Sequence, residues 1–187
     1  MPDITLEPLI TEFLEYLEIE RGCSFLTTRV YRHYLNRFHN WLSENSPTTK
    51  AEDINLEDIR RYRLYLAHFR NRNGVPLKRV TQSYHIIALR AFLRYLLVKR
   101  DIPTLSPDKI ELPKQSSRSV GFLDSEQIER LLNSPQISNE IGLRDKAILE
   151  TLFSTGLRVS ELVRLNRDQI DLKRQEFGVR GKETNSE

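Results

Sequence analysis

The sequence predicts a mainly α protein: a four-helix bundle over residues 1–100, a linker over 101–121, and the helical opening of an α+β second domain over 122–187. Three observations carry that reading. Apolar residues recur at helical spacing through four stretches of the first hundred residues, each closed by a glycine, a proline or a change of composition. Residues 101–121 lose the period and contain Pro103, Pro107 and Pro113 among basic and small polar residues. Beyond them, helical spacing returns and gives way near residue 176 to a short strand pattern.

In the first helix Leu9, Ile10, Phe13, Leu14 and Leu17 form one stripe, and Arg21-Gly22 provides a basic last turn with a glycine stop. Ser24 is placed to cap the second helix. There Tyr31, Tyr34, Leu35, Phe38, Trp41 and Leu42 share a face, Arg29, Arg32 and Arg37 lie on others, and Pro47 marks the end. Asn55 followed by Asp58 reads as an N-cap pair for the third helix, with Leu56, Ile59, Tyr62, Leu66 and Phe69 buried and Asn73-Gly74 as its end. The fourth helix begins near Thr81. Its expected core face is Tyr84, Ile87, Ala88, Ala91, Phe92, Tyr95 and Leu96, with Arg90 and Arg94 outside it. After the linker, Asp124 and Gln127 form a capping-box variant ahead of Ile128, Leu131 and Leu132. Leu143, Ala147, Ile148 and Leu152 then lead into Ser154-Thr155-Gly156, a glycine-closed helix end, and Leu162 and Leu165 start another apolar rhythm. Glu176 to Arg180 reads as a first strand, with Gly181-Lys182 as a turn.

Composition excludes several classes. With 39% apolar and 29% charged residues, the 187-residue chain is an ordinary globular sequence rather than a disordered one. The single cysteine, Cys23, cannot close an internal disulfide, and no Cys/His cluster has zinc spacing, so no metal or other cofactor is expected. The acidic N-terminus and short apolar runs lack the pattern of a secretion signal or membrane span, and the expected setting is the cytoplasm. The formal charge is only +3, yet residues 21–100 contain 16 Lys and Arg against 5 Asp and Glu. A basic excess of that kind in helices points to a polyanion, because neutralised phosphates release counterions; a solvated helix face is the plainer alternative.

Arg158 stands where one helix has ended and the next begins. Backbone N–H groups at a helix start favour anions, and an arginine fork holds two phosphate oxygens. Glu161, one turn on, is within reach of the guanidinium. Alone, an arginine after a glycine cap is a surface charge. The full string Thr155-Gly156-Leu157-Arg158-Val159-Ser160-Glu161-Leu162, followed by Val163-Arg164-Leu165, resembles the first active-site box of the tyrosine recombinase (phage integrase) family, particularly its Xer-like members.

The resemblance covers roughly residues 5–182 and implies a core-binding, SAM-like bundle, a basic linker and the opening of a catalytic domain. It implies duplex DNA and other recombinase protomers as partners, and no membrane. The second and fourth bundle helices would lie on the DNA, which nominates Arg29, Arg32 and Arg37 on one, and Lys78, Arg79, Gln82, His85, Arg90 and Arg94 at or on the other. Metal-free transesterification is implied, with Arg158 stabilising the phosphate, Glu161 as its acidic neighbour and Lys182 protonating the leaving 5′-oxygen. The family's His-x-x-Arg box and nucleophilic tyrosine follow that lysine. Here all four histidines precede the linker and the last tyrosine is Tyr95. The expectation is therefore an N-terminal portion that binds DNA and does not cleave it. The alternatives are a non-catalytic DNA-binding or regulatory module that occupies recombination sites, and a helical scaffold for acidic proteins.

Overall fold

The computed structural model describes residues 5–46, 50–112, 121–171, 173–174 and 176–178. The chain falls into two compact units, residues 1–117 and 118–187.

Unit 1 is a bundle of α1 (Leu6–Ile19), α2 (Phe25–Asn45), α3 (Leu56–His68) and α4 (Arg79–Lys99). Local chemistry sets its joints. Gly22 takes φ +59°, and the Cys23 N–H donates to Leu17 O at 2.9 Å, which closes α1. The Ser24 hydroxyl accepts from the Thr27 N–H and caps α2. Asn55 and Asp58 form a reciprocal capping box: the Asp58 N–H donates to Asn55 Oδ1 at 3.2 Å and the Asn55 N–H to Asp58 Oδ2 at 3.1 Å. α3 stops at His68, ahead of the expected Asn73-Gly74, because the Asn71 side chain accepts from the Asn73 and Val75 N–H groups and organises a separate turn around Gly74.

The core is aromatic at two centres. Around Phe13 gather Phe92 at 5.6 Å and Tyr95 at 5.3 Å between ring centroids. Around Tyr62 gather Phe38 at 5.0 Å and Trp41 at 5.3 Å. Leucines and isoleucines from all four helices fill the space between. α4 packs against α1, α2 and α3, so its buried face is broad: Ser83, Ile86, Leu89 and Leu93 are buried along with Ala88, Phe92 and Leu96.

Three sequence expectations are corrected here. Tyr84 is 47% exposed rather than core, because the stripe of α4 that meets three helices is centred on Leu89 and leaves Tyr84 at its rim. Leu56, the first helical residue after the Asn55 cap, is 48% exposed, and Phe69 is only half-buried under an arginine. The linker stretch, in turn, is docked over its first twelve residues: Ile110 is buried, Ile102 and Leu105 pack on the core, and the Thr104 hydroxyl donates to Ala51 O at 2.9 Å.

Unit 2 contains α5 (Ser125–Leu132), α6 (Glu140–Thr155) and the single turn α7 (Val159–Leu162). Asp124 and Gln127 form the expected capping box, and Asn139 caps α6 through the Gly142 N–H at 2.8 Å. Gly156, at φ +68°, ends α6 in the left-handed conformation that glycine adopts without steric cost. A small antiparallel ladder follows, β1 (Ile170–Asp171) with β2 (Glu176–Phe177), pairing Ile170 with Phe177. Residue 176 thus begins the second strand of a hairpin rather than a first strand: the Asp171 carboxylate accepts from the Lys173 and Arg174 N–H groups and turns the chain. Residues 179–180 of the expected strand lie outside the described residues. The described residues of unit 2 bury no large apolar side chain, and Ile141, Leu143, Phe153, Val159 and Val163 are exposed.

Candidate nucleic-acid interface

Along one face of α2, Arg29, Arg32, His33, Asn36, Arg37 and Asn40 line a groove of ≈ 500 Å³, with Trp41 and Tyr65 also lining it and Glu44 towards the C-terminal end of the helix. Positions 29, 32, 36 and 40 repeat at steps of three and four, so the 3.6-residue period puts them in one row. Arg29 and Arg32 are exposed and make no ion pair among the described residues. Arg37 is held differently: its guanidinium carbon stacks 4.1 Å from the centroid of Phe69. One of its nitrogens, Nη1, is buried with no hydrogen-bond partner among the described residues. The stacked cation is therefore fixed in place while part of its donor capacity is unused.

The α4 candidates divide. Lys78, Arg79 and Arg94 are exposed. Gln82 is half-buried, and its amide already donates to Leu77 O at 2.9 Å. Arg90 is half-buried and faces the exposed Asp108 carboxylate at 3.3 Å, so part of its charge is already neutralised. His85 is corrected out of the set. Its side chain is 1% exposed, sharing a 3.2 Å hydrogen bond between Nδ1 and the Tyr62 hydroxyl, and its ring lies 4.3 Å from that of Tyr34. Burial, with help from the Arg37 and His33 charges, pushes its pKa down to about 4, so at neutral pH it is an uncharged core residue that no phosphate can reach.

In unit 2, Arg158 occupies the N-cap position of α7 and is 79% exposed. Glu161 holds it from two sides: one carboxylate oxygen accepts from the Arg158 backbone N–H at 2.8 Å, the other from guanidinium Nη1 at 2.9 Å. The backbone bond chiefly, and the side-chain bond with it, lower the Glu161 pKa, so it stays ionised near neutral pH. Nε and Nη2 of Arg158 make no hydrogen bond among the described residues. Lys182 lies outside the described residues. No group of three or more His, Cys, Asp or Glu side chains comes together in a metal-binding arrangement among the described residues. None of their helices is long and apolar enough to cross a membrane.

His33, Asn36 and Asn40, which line the same groove, are not singled out by the sequence alone. The signal was present as polar residues at i+4 and i+7/i+8 from Arg29 and Arg32, hidden because asparagine in a helix reads only as a weak helix former.

The chain thus combines a helical bundle that presents a cationic, amide-bearing groove with, further along the sequence, an arginine held at a helix start by a carboxylate. Comparison with known proteins gives the following. The phage integrase N-terminal SAM-like domain matches residues 10–100, and the phage integrase family matches residues 121–187. The chain is 36% identical over 174 residues to tyrosine recombinase XerD of Lacticaseibacillus casei, covering 93% of this chain and 56% of that protein. It is 38% identical over 178 residues to XerD of Pseudomonas putida, covering 94% and 56%. To XerC of Syntrophus aciditrophicus it is 35% identical over 180 residues, covering 95% and 57%. The chain belongs to the phage integrase family of tyrosine recombinases, and it spans a little over half the length of the curated relatives it matches.

Proposed function

We propose that this chain is the DNA-gripping part of a site-specific recombinase, with residues 1–100 as the core-binding domain, 101–121 as the linker and 122–187 as the opening of the catalytic domain. Its partners in this reading are double-stranded DNA and other recombinase protomers on the same DNA, in the cytoplasm. The observation that carries it is the row of cations on α2, Arg29, Arg32 and Arg37, in a unit that matches the integrase N-terminal domain. Lys78, Arg79, Gln82, Arg90 and Arg94 extend the contact from α4.

The reaction of the whole protein is exchange of DNA strands through a 3′-phosphotyrosyl link, which conserves the energy of the phosphodiester. Of that chemistry these residues supply the first arginine. Charge develops on the non-bridging phosphate oxygens, and a guanidinium already oriented by Glu161 stabilises it without reorganising. Lys182 donates a proton to the departing 5′-oxygen. Among the 187 residues the last tyrosine is Tyr95, in the bundle.

The test is the salt dependence of duplex binding. Each neutralised phosphate contributes about −0.9 to the slope of log K against log salt. The double variant Arg29→Ala, Arg32→Ala is expected to flatten the slope by nearly two such steps. Arg90→Ala with Arg94→Ala flattens it less, because Asp108 already opposes Arg90. A slope unchanged by loss of Arg29 and Arg32 would remove α2 from the contact.

A further inference from the structure

We infer that Asn36 and Asn40 are base-reading residues, flanked by arginines that hold the sugar-phosphate backbone; this rests on the reading of duplex DNA as the ligand of unit 1. Asparagine is a poor residue for a helix interior, because its amide competes for backbone hydrogen bonds. In α2 two of them stand four residues apart, both exposed and both without a side-chain hydrogen bond among the described residues. Of the other asparagines described in unit 1, Asn45 donates to Trp41 O at 2.9 Å, Asn55 caps α3 and Asn71 builds a turn, while Asn73 sits in that turn outside any helix. Asn36 and Asn40 have no such role, although they lie in the middle of a 21-residue helix.

Their surroundings identify the ligand chemistry. Arg29 and Arg32 precede them in the row, and the stacked Arg37 lines the same groove. Cations of that kind hold phosphates and fix register without reading sequence. A neutral amide gains little from a phosphate that an adjacent guanidinium can take. It does carry one donor and one acceptor side by side, the complement of adenine N6 and N7 in the major groove. One helical turn separates the two amides by about 6 Å along the axis, close to the rise of two base pairs at about 3.4 Å each. Glu44, further along the same groove, opposes phosphate and bounds the cationic stretch.

The experiment selects duplexes from a random library with the full chain and with Asn36→Ala, Asn40→Ala and the double variant. Asparagine to alanine favours the helix, so loss of folding does not confuse the result. The parent is expected to enrich a motif with A·T pairs at defined positions. Each single variant should lose discrimination at one position by about fivefold to a hundredfold, the worth of a bidentate base contact. Affinity for unrelated duplex and the salt slope should stay unchanged. Arg29→Ala with Arg32→Ala gives the converse: weaker binding to all duplexes with the motif preserved. A motif identical in the parent and the asparagine variants would overturn the inference, as would variants that lose specific and non-specific affinity together. A parent that binds duplex without preference overturns this inference alone, whereas a parent that binds no duplex overturns the DNA reading with it.

Discussion

Replacing Phe92 with alanine is expected to destabilise unit 1 by about 3–5 kcal/mol, the range for truncating a fully buried aromatic. Phe92 is 0% exposed and its ring lies 5.6 Å from that of Phe13, so its removal leaves a cavity where α4 meets α1. The surrounding leucines and rings come from different helices and cannot all close on the void at once, which puts the loss in the upper part of the range. Tyr84→Ala on the same helix provides the contrast. Its side chain is 47% exposed, and its loss should cost under about 1 kcal/mol. Chemical denaturation of both variants decides the matter: equal midpoints would show that the aromatic cluster is not the mechanical centre of the bundle.

The second large effect is on pH. In the unfolded chain His85 titrates near 6.5, and in the bundle burial first, then Arg37 and His33, hold its pKa at about 4. Between those values the unfolded state binds more protons than the folded one, so stability rises with pH across the window. The contribution is fully present above about pH 6.5, falls as the solution is acidified, and levels off below about pH 4. The difference corresponds to roughly 3 kcal/mol in all, of which about 1.5–2 kcal/mol is lost between pH 6.5 and 5, before most carboxylates titrate. His85→Gln retains a hydrogen-bonding group for the Tyr62 hydroxyl and removes the titration. Stability of that variant should be flatter over pH 6.5–5 than that of the parent. Parallel curves would mean that His85 is solvated in the folded chain.

His85 also shows where sequence reading reaches its limit. A histidine four residues from Thr81, in a helix rich in arginine, carries no local sign of whether it faces a phosphate or the Tyr62 hydroxyl; only the packing of α3 and α2 against α4 decides. The same holds for the breadth of the buried face of α4. Apolar residues occur almost all round that helix, so no single stripe could be chosen before its three partners were known. Caps were legible because their chemistry is local: Ser24, the Asn55/Asp58 pair and the Asp124/Gln127 pair each act within three residues. The Arg158–Glu161 contact was legible for the same reason. Docking of Ile102, Leu105 and Ile110 was not, since a segment without regular period gives no pattern from which its buried side chains can be picked. The groove on α2 lies between these cases. Its arginines stood out by charge, whereas its asparagines acquire meaning only once both are seen exposed, unpaired and in line with them.

In the proposed reading, α2 and α4 form the face that meets duplex DNA. The most direct measurement is an NMR titration of the chain with a short duplex at low salt, following backbone and side-chain amide signals. Shifts are expected to concentrate at residues 29–40 of α2, including the Asn36 and Asn40 side-chain amides, and on α4 near Arg79 and Arg94. The exposed acidic positions of α1, Glu7, Glu15 and Glu18, should remain unperturbed. Shifts confined to α1, or to residues remote from both α2 and α4, would contradict that reading.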